Sequence, residues 1–227
     1  MRAAHHQEQY RQQRAARRLD RDGMGPVLGD RAVGAWPGAV GGFALWGEVL
    51  LTGVMVTVAS LGIVTAPAAL AAGVRHLMRY AKAQASPWSA FWADVRAAFV
   101  GGMGVAAAGG VVVAILVTDI RLAAAGVLPG GGVVAAAGWV GLVALSVVLL
   151  TAAGQWDPAA GWRAAFPRAM SQWRGDGGGA AYLTATVVFV GVCTWALPAL
   201  LPPALGCATM AAVAIPARPR GDGEGRG

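Results

Sequence analysis

Residues 97–118 contain no charged side chain, and neither do residues 133–153. A helix crosses a bilayer with about 20 consecutive apolar residues, so each stretch predicts one membrane span. Two further apolar runs, 43–78 and 180–216, are long for one span and short for two. Each carries helix breakers near its middle: Ser60, Gly62 and Pro67 in the first, Pro198, Pro202 and Pro203 in the last. Proline inside a helix removes a hydrogen bond and kinks or ends it.

The cations decide between one span and a hairpin for each long run. Basic loop residues favour the cytoplasmic side. Treating each long run as one span divides the 18 Lys and Arg residues eleven to seven, whereas a hairpin in each divides them seventeen to one. The hairpin arrangement predicts an all-α polytopic membrane protein with about six transmembrane helices, near 43–61, 64–80, 97–118, 133–153, 180–199 and 203–216. Five spans are the alternative, because the second and sixth helices are short and could dip into the membrane without crossing. Residues 1–42 read as a basic, polar, flexible leader, 43–216 as one membrane domain and 217–227 as a tail, with both ends cytoplasmic and the plasma membrane as the location. The leader is too long for a signal peptide, and the run after it exceeds the usual ~7–15-residue core.

Composition agrees. Charged residues make up 13% and hydrophobic ones 56%, against about 25% charged in soluble domains. The net charge of +7 sits at the ends and between apolar runs without a groove-reading motif. It implies a lipid partner rather than nucleic acid.

Two amphipathic segments interrupt this pattern. In SPWSAFWADVRAAF (86–99), Ser86 suits an N-cap and Pro87 a first helical turn. Trp88, Phe91, Trp92, Val95 and Phe99 then share one face, with Asp94 off it and Arg96 near its edge. In DPAAGWRAAFPRAMSQW (157–173), Asp157 suits a cap, Pro167 predicts a kink, and Trp162, Phe166, Met170 and Trp173 share a face. Both read as interfacial helices, the first running on into the span after it. Their recurrence suggests a three-helix repeat, 43–118 and 133–216. Ala98, Gly102, Ala106, Gly110 and Ala114 recur every fourth residue, a small-residue ridge of the kind that lets membrane helices approach closely.

The candidate chemistry is sparse. Glu48 is the acid within an apolar run, and intramembrane acids are functional candidates; Arg75 or Arg79 is its expected partner. Thr65 and Pro67 open the second helix as N-cap and early-turn residues. His76 stands alone and supplies no ligand set. Cys193 and Cys207 lie in apolar stretches and read as small buried hydrophobes. No metal, nucleotide or hydrolase motif occurs, so neither a cofactor nor an enzyme is expected.

Residues 47–99 resemble the YesL-like family of bacterial integral membrane proteins of unknown function. The similarity rests on Gly47-Glu48, the turn Val64-Thr65-Ala66-Pro67-Ala68, the Ala-rich helix with Arg75 and Arg79, and the Phe91-Trp92 block ending at Phe99. Thr52-Gly53-Val54-Met55-Val56-Thr57 departs from the family's Asn and Trp in the first span, and Gly62 stands where Pro is usual. The Gly and Ala content is similar to that of high-GC actinobacterial members. The resemblance implies an accessory or assembly role in carbohydrate uptake beside an ABC-type transporter complex. A small independent transporter or channel is the alternative.

Overall fold

The computed structural model describes residues 42–127 and 129–218, so the basic leader and the last residues of the tail fall outside it. Among the described residues every regular element is helical: α1 Gly42–Ser60, α2 Ala66–Ala81, α3 Trp88–Ala124, α4 Gly131–Gln155, α5 Gly161–Gly175, α6 Gly177–Ala196, a 3₁₀ turn Pro198–Leu200 and α7 Leu201–Ala214. Four of them, α1, α3, α4 and α6, are long and apolar enough to cross a membrane, and α7 is a shorter apolar helix. The chain is an all-α polytopic membrane protein.

α2 is the centre of the bundle. It packs against α1, α3, α4 and α7, and Ala68, Ala69, Ala71 and Ala72 are fully buried. Small side chains make this possible, because dispersion contacts and close backbone approach, rather than water exclusion, hold helices together in lipid. The same logic explains three glycines. A Cβ on Gly53 of α1 would run into the carbonyl oxygen of Pro202, one on Gly206 of α7 into that of Val49, and one on Gly73 of α2 into Val56. α1 and α7 therefore touch backbone to backbone, in antiparallel register.

α3 joins the first amphipathic segment to the third apolar run without a break, as its sequence predicts. Its 37 residues make it about 55 Å long at 1.5 Å per residue. Its first half packs on α2 and α5, and its second half lies against α4, with Ile120 at Gly138 and Leu116 at Gly141. The predicted small-residue ridge is therefore only half used. Ala98 and Gly102 are buried, whereas Gly110 and Ala114 are exposed. A row of every fourth residue advances about 40° round the helix at each step. It starts against the core and has turned outward four steps later.

The α1–α2 hairpin reaches only part of the way along α3. Ala68, in the first turn of α2, sits against Gly102, and α3 continues about six turns beyond that point. The connecting turn is apolar yet open: Leu61 is 77% and Ile63 81% exposed. Its amides bond within the hairpin, from Leu61, Ile63, Val64 and Ala66 to the carbonyls of Val58, Ser60, Gly62 and Ile63. The Thr65 hydroxyl donates to the Ala59 carbonyl. An apolar turn with its backbone satisfied internally suits hydrocarbon. The turn thus keeps its backbone satisfied within the hairpin while its apolar side chains face outward.

Candidate functional site

Charged side chains converge where the C-terminal half of α2 meets α1, the start of α3 and the loop after α4. The Arg79 guanidinium donates to Asp94 Oδ2 at 2.6 Å. Arg75 Nε lies 3.4 Å from Asp94 Oδ1, and its Nη1 donates to Asp157 Oδ2 at 3.3 Å. Arg75 also sits over the Trp156 ring, 5.6 Å from the centroid. Asp94 is 8% exposed: it is a buried acid held between two arginines, not an off-face surface residue. The helical wheel placed it off the apolar face, about 60° round the helix from Phe91, and α2 packs on that side too.

Glu48 pairs with neither arginine. Its Oε1 lies 2.6 Å from His76 Nε2, and His76 is 2% exposed. The other ring nitrogen, Nδ1, is 2.8 Å from Ser86 Oγ, which also lies 3.2 Å from the His76 carbonyl. The expected Glu48–arginine pairing is thus corrected to Glu48–His76, and His76 is a central residue that a solitary histidine in the sequence did not announce. The arginines, one position before the histidine and three after it, are taken by Asp94 and Asp157. The only sequence signal was spacing: Arg75, His76 and Arg79 lie within one helical turn, opposite a helix start carrying Asp94.

The predicted caps are also reassigned. Ser86 gives its hydroxyl to His76, and Pro87 holds the N-cap position of α3. Thr65 stands at the N-cap of α2 without a side-chain cap bond, with Pro67 in the first turn as expected. Asp157 accepts from the Ala159 amide at 2.9 Å in a turn, and α5 begins only at Gly161, running through Pro167. The cap that does form is Asp176, which accepts from the Gly179 amide at 2.8 Å and pairs with Arg218.

The aromatic residues line this layer. Phe91 is fully buried and meets His76 edge-on at 6.2 Å. Trp92 packs on Phe91 at 5.4 Å and Trp88 on Trp92 at 5.8 Å, while Trp88 remains 54% exposed. Trp162, 5% exposed, stacks between Trp156 and Phe166. The apolar faces of the two amphipathic segments thus serve the bundle, with Trp88 directed outward. One turn deeper than Glu48, the Thr52 hydroxyl is buried with no hydrogen-bond partner among the described residues. Cys193 and Cys207 are free and half-buried. No group of three or more His, Cys, Asp or Glu able to hold a metal ion occurs among the described residues. Comparison of the chain with protein-family models, with curated proteins and with solved structures finds no match.

Proposed function

We propose that the chain is an accessory or assembly component of a membrane transport complex, engaging its partner within the bilayer. One observation carries this reading. From Gly104 onward α3 exposes Gly104, Ala107, Ala108 and Ala114, and a Cβ on Gly104, Gly109 or Gly110 would meet nothing within 4 Å. Small residues on a membrane helix are the surface on which another helix packs closely. Resemblance to the YesL-like family supports a link to carbohydrate uptake by an ABC-type system in a bacterial plasma membrane. The charge distribution supports cytoplasmic ends, which would place the Glu48–His76 and Arg–Asp layer near the cytoplasmic face.

The buried Glu48–His76 pair favours a second reading, an independent transporter. The hydroxyls of the apolar helices argue against it. Those of Thr57, Ser146, Thr186 and Thr194 all donate to carbonyls four residues back in their own helices, which leaves little to replace a solute's hydration.

The test is a tagged pull-down of the full chain from native membranes in mild detergent, read by mass spectrometry. The accessory role predicts stoichiometric recovery of a membrane transport protein, lost in Gly104→Leu/Ala108→Leu. Recovery of the chain alone, with solute flux in proteoliposomes, would overturn it.

A further inference from the structure

Glu48, His76 and Ser86 belong to α1, α2 and the loop before α3, and they form one hydrogen-bonded chain. The position of its hydrogens follows from counting. The Ser86 hydroxyl has one hydrogen, and the His76 carbonyl can only accept. If that hydrogen goes to the carbonyl at 3.2 Å, then Nδ1–H must be the donor in the 2.8 Å contact, and both Ser86 contacts are satisfied together. On the other side of the ring, Nε2 and Glu48 Oε1 are 2.6 Å apart, which requires a proton between them. Either the carboxylic acid donates to the ring or the imidazolium donates to the carboxylate. In both forms the pair is neutral.

The opposite arrangement has the Ser86 hydroxyl donating to Nδ1 and Nε2–H donating to a carboxylate. It leaves the Ser86–carbonyl contact unused and places a net negative charge on a carboxyl group that is only 20% exposed, against a buried ring. Among the described residues no cation pairs with that charge. Arg75 and Arg79 on α2 are turned to Asp94 on α3 and to Asp157 after α4. α7 brings Thr209, whose hydroxyl bonds to the Gly206 carbonyl, and α3 brings the edge of Phe91. Burying an uncompensated charge is costly.

We propose that Glu48 and His76 form a proton-binding site, and that the bound proton fastens α1 to α2. Ser86 pins the ring so that Nε2 faces Glu48. Release of the proton leaves a carboxylate against a nitrogen lone pair. The Glu48 side chain, 20% exposed, then turns toward water, and the start of α1 loses its polar tie to the bundle. This goes beyond the accessory role, because it gives that role a state variable and holds whatever the partner is.

The test uses the full chain in lipid nanodiscs with His5→Ala/His6→Ala, which leaves His76 as the single histidine among the three in the sequence. Ring ¹⁵N NMR assigns the tautomer, and infrared spectroscopy detects a protonated carboxyl. The expected result is a protonated Nδ1, together with either an imidazolium or a carboxylic-acid band that Glu48→Gln removes. Ser86→Ala should unpin the ring and give a population with the proton on Nε2. A neutral ring protonated on Nε2 in the unsubstituted site would overturn the proposal. So would protonated Nδ1 with a bare Nε2 and no Glu48-dependent carboxyl band. The unsubstituted site decides the matter even if a variant fails to fold.

Discussion

The indole Nε1 of Trp162 on α5 donates to the carbonyl of Ala98 on α3 at 2.9 Å, sixty-four residues earlier in the chain. The ring also lies against Gly101 and Gly102, where a Cβ on Gly101 would come within 2.7 Å of Trp162 Cδ1. This contact carries the second amphipathic segment onto the first. Trp162→Phe keeps most of the buried ring and loses the hydrogen bond, so it should cost about 1 kcal/mol. Trp162→Ala also empties the site and should cost about 3–5 kcal/mol. Thermal unfolding in nanodiscs should order the variants wild type, Phe, Ala. Equal losses for Phe and Ala would show that packing contributes nothing beyond the bond.

The glycines separate into two groups by what they touch. Gly53→Ala and Gly206→Ala each put a methyl group into a backbone carbonyl, which cannot move like a side chain, and should destabilise by about 1–3 kcal/mol. Gly110→Ala meets nothing and lies within α3, so helix propensity predicts a gain of up to about 1 kcal/mol. Differential scanning of the three variants checks the sign. A gain at Gly53 would mean that α1 and α7 are not in backbone contact.

How much of this was legible in the sequence varies with the range of the interaction. The continuity of α3 was legible, because Trp88 to Val117 carries no proline and no breaker stronger than glycine, singly at Gly104 and paired at Gly101-Gly102 and Gly109-Gly110. The breaks at 61–65 and 197–200 were legible from Gly62 and Pro198. Pairings across elements were not. Glu48 and His76 are separated by 28 residues, and nothing in a single sequence says that α1 lies over the histidine rather than over the arginines one position before it and three after it. The ridge on α3 failed for another reason. Spacing of four finds neighbours on a helix, but it does not find a straight stripe, and only packing shows where the row leaves the core.

Asp94 holds two arginines, and each arginine has its own surroundings. Asp94→Ala leaves Arg75 with Asp157 alone and Arg79 without its carboxylate, in a site where Asp94 is 8% exposed. Removing one partner of a buried pair costs about 3–5 kcal/mol. Arg79→Ala leaves Asp94 with Arg75 and should cost less. Chemical unfolding in mild detergent should rank Asp94→Ala as the more damaging change, and the double variant should cost less than the two single losses combined. Strict additivity would mean that the pair does not interact.

Thr52 gives a prediction of opposite sign. Its hydroxyl is fully buried without a partner among the described residues, and an unsatisfied buried hydroxyl costs about 1–3 kcal/mol. Thr52→Val keeps the branched shape and removes the polar atom. The variant should unfold at a higher temperature than the wild type. A lower midpoint would mean that the hydroxyl contributes to stability.

The depth of the α1–α2 hairpin can be read by chemistry. The turn around Leu61 sits alongside the middle of α3, while Val127 follows the end of that helix and is 66% exposed. With Cys193 and Cys207 replaced by alanine, Leu61→Cys and Val127→Cys provide two single thiols. A maleimide that cannot cross the membrane should label Val127→Cys rapidly in sealed vesicles of one orientation. Leu61→Cys should stay unlabelled from both sides, because a thiol in hydrocarbon is not ionised and the reagent does not reach it. Labelling of both thiols from the same side at similar rates would show instead that the hairpin crosses fully. The apolar side chains of Leu61, Ile63 and Val64 would then stand in water, at a cost of roughly 1.5–3 kcal/mol for each large side chain left exposed. The turn has its polar backbone groups bonded internally and its apolar groups outward, which is the arrangement for lipid and the wrong one for water.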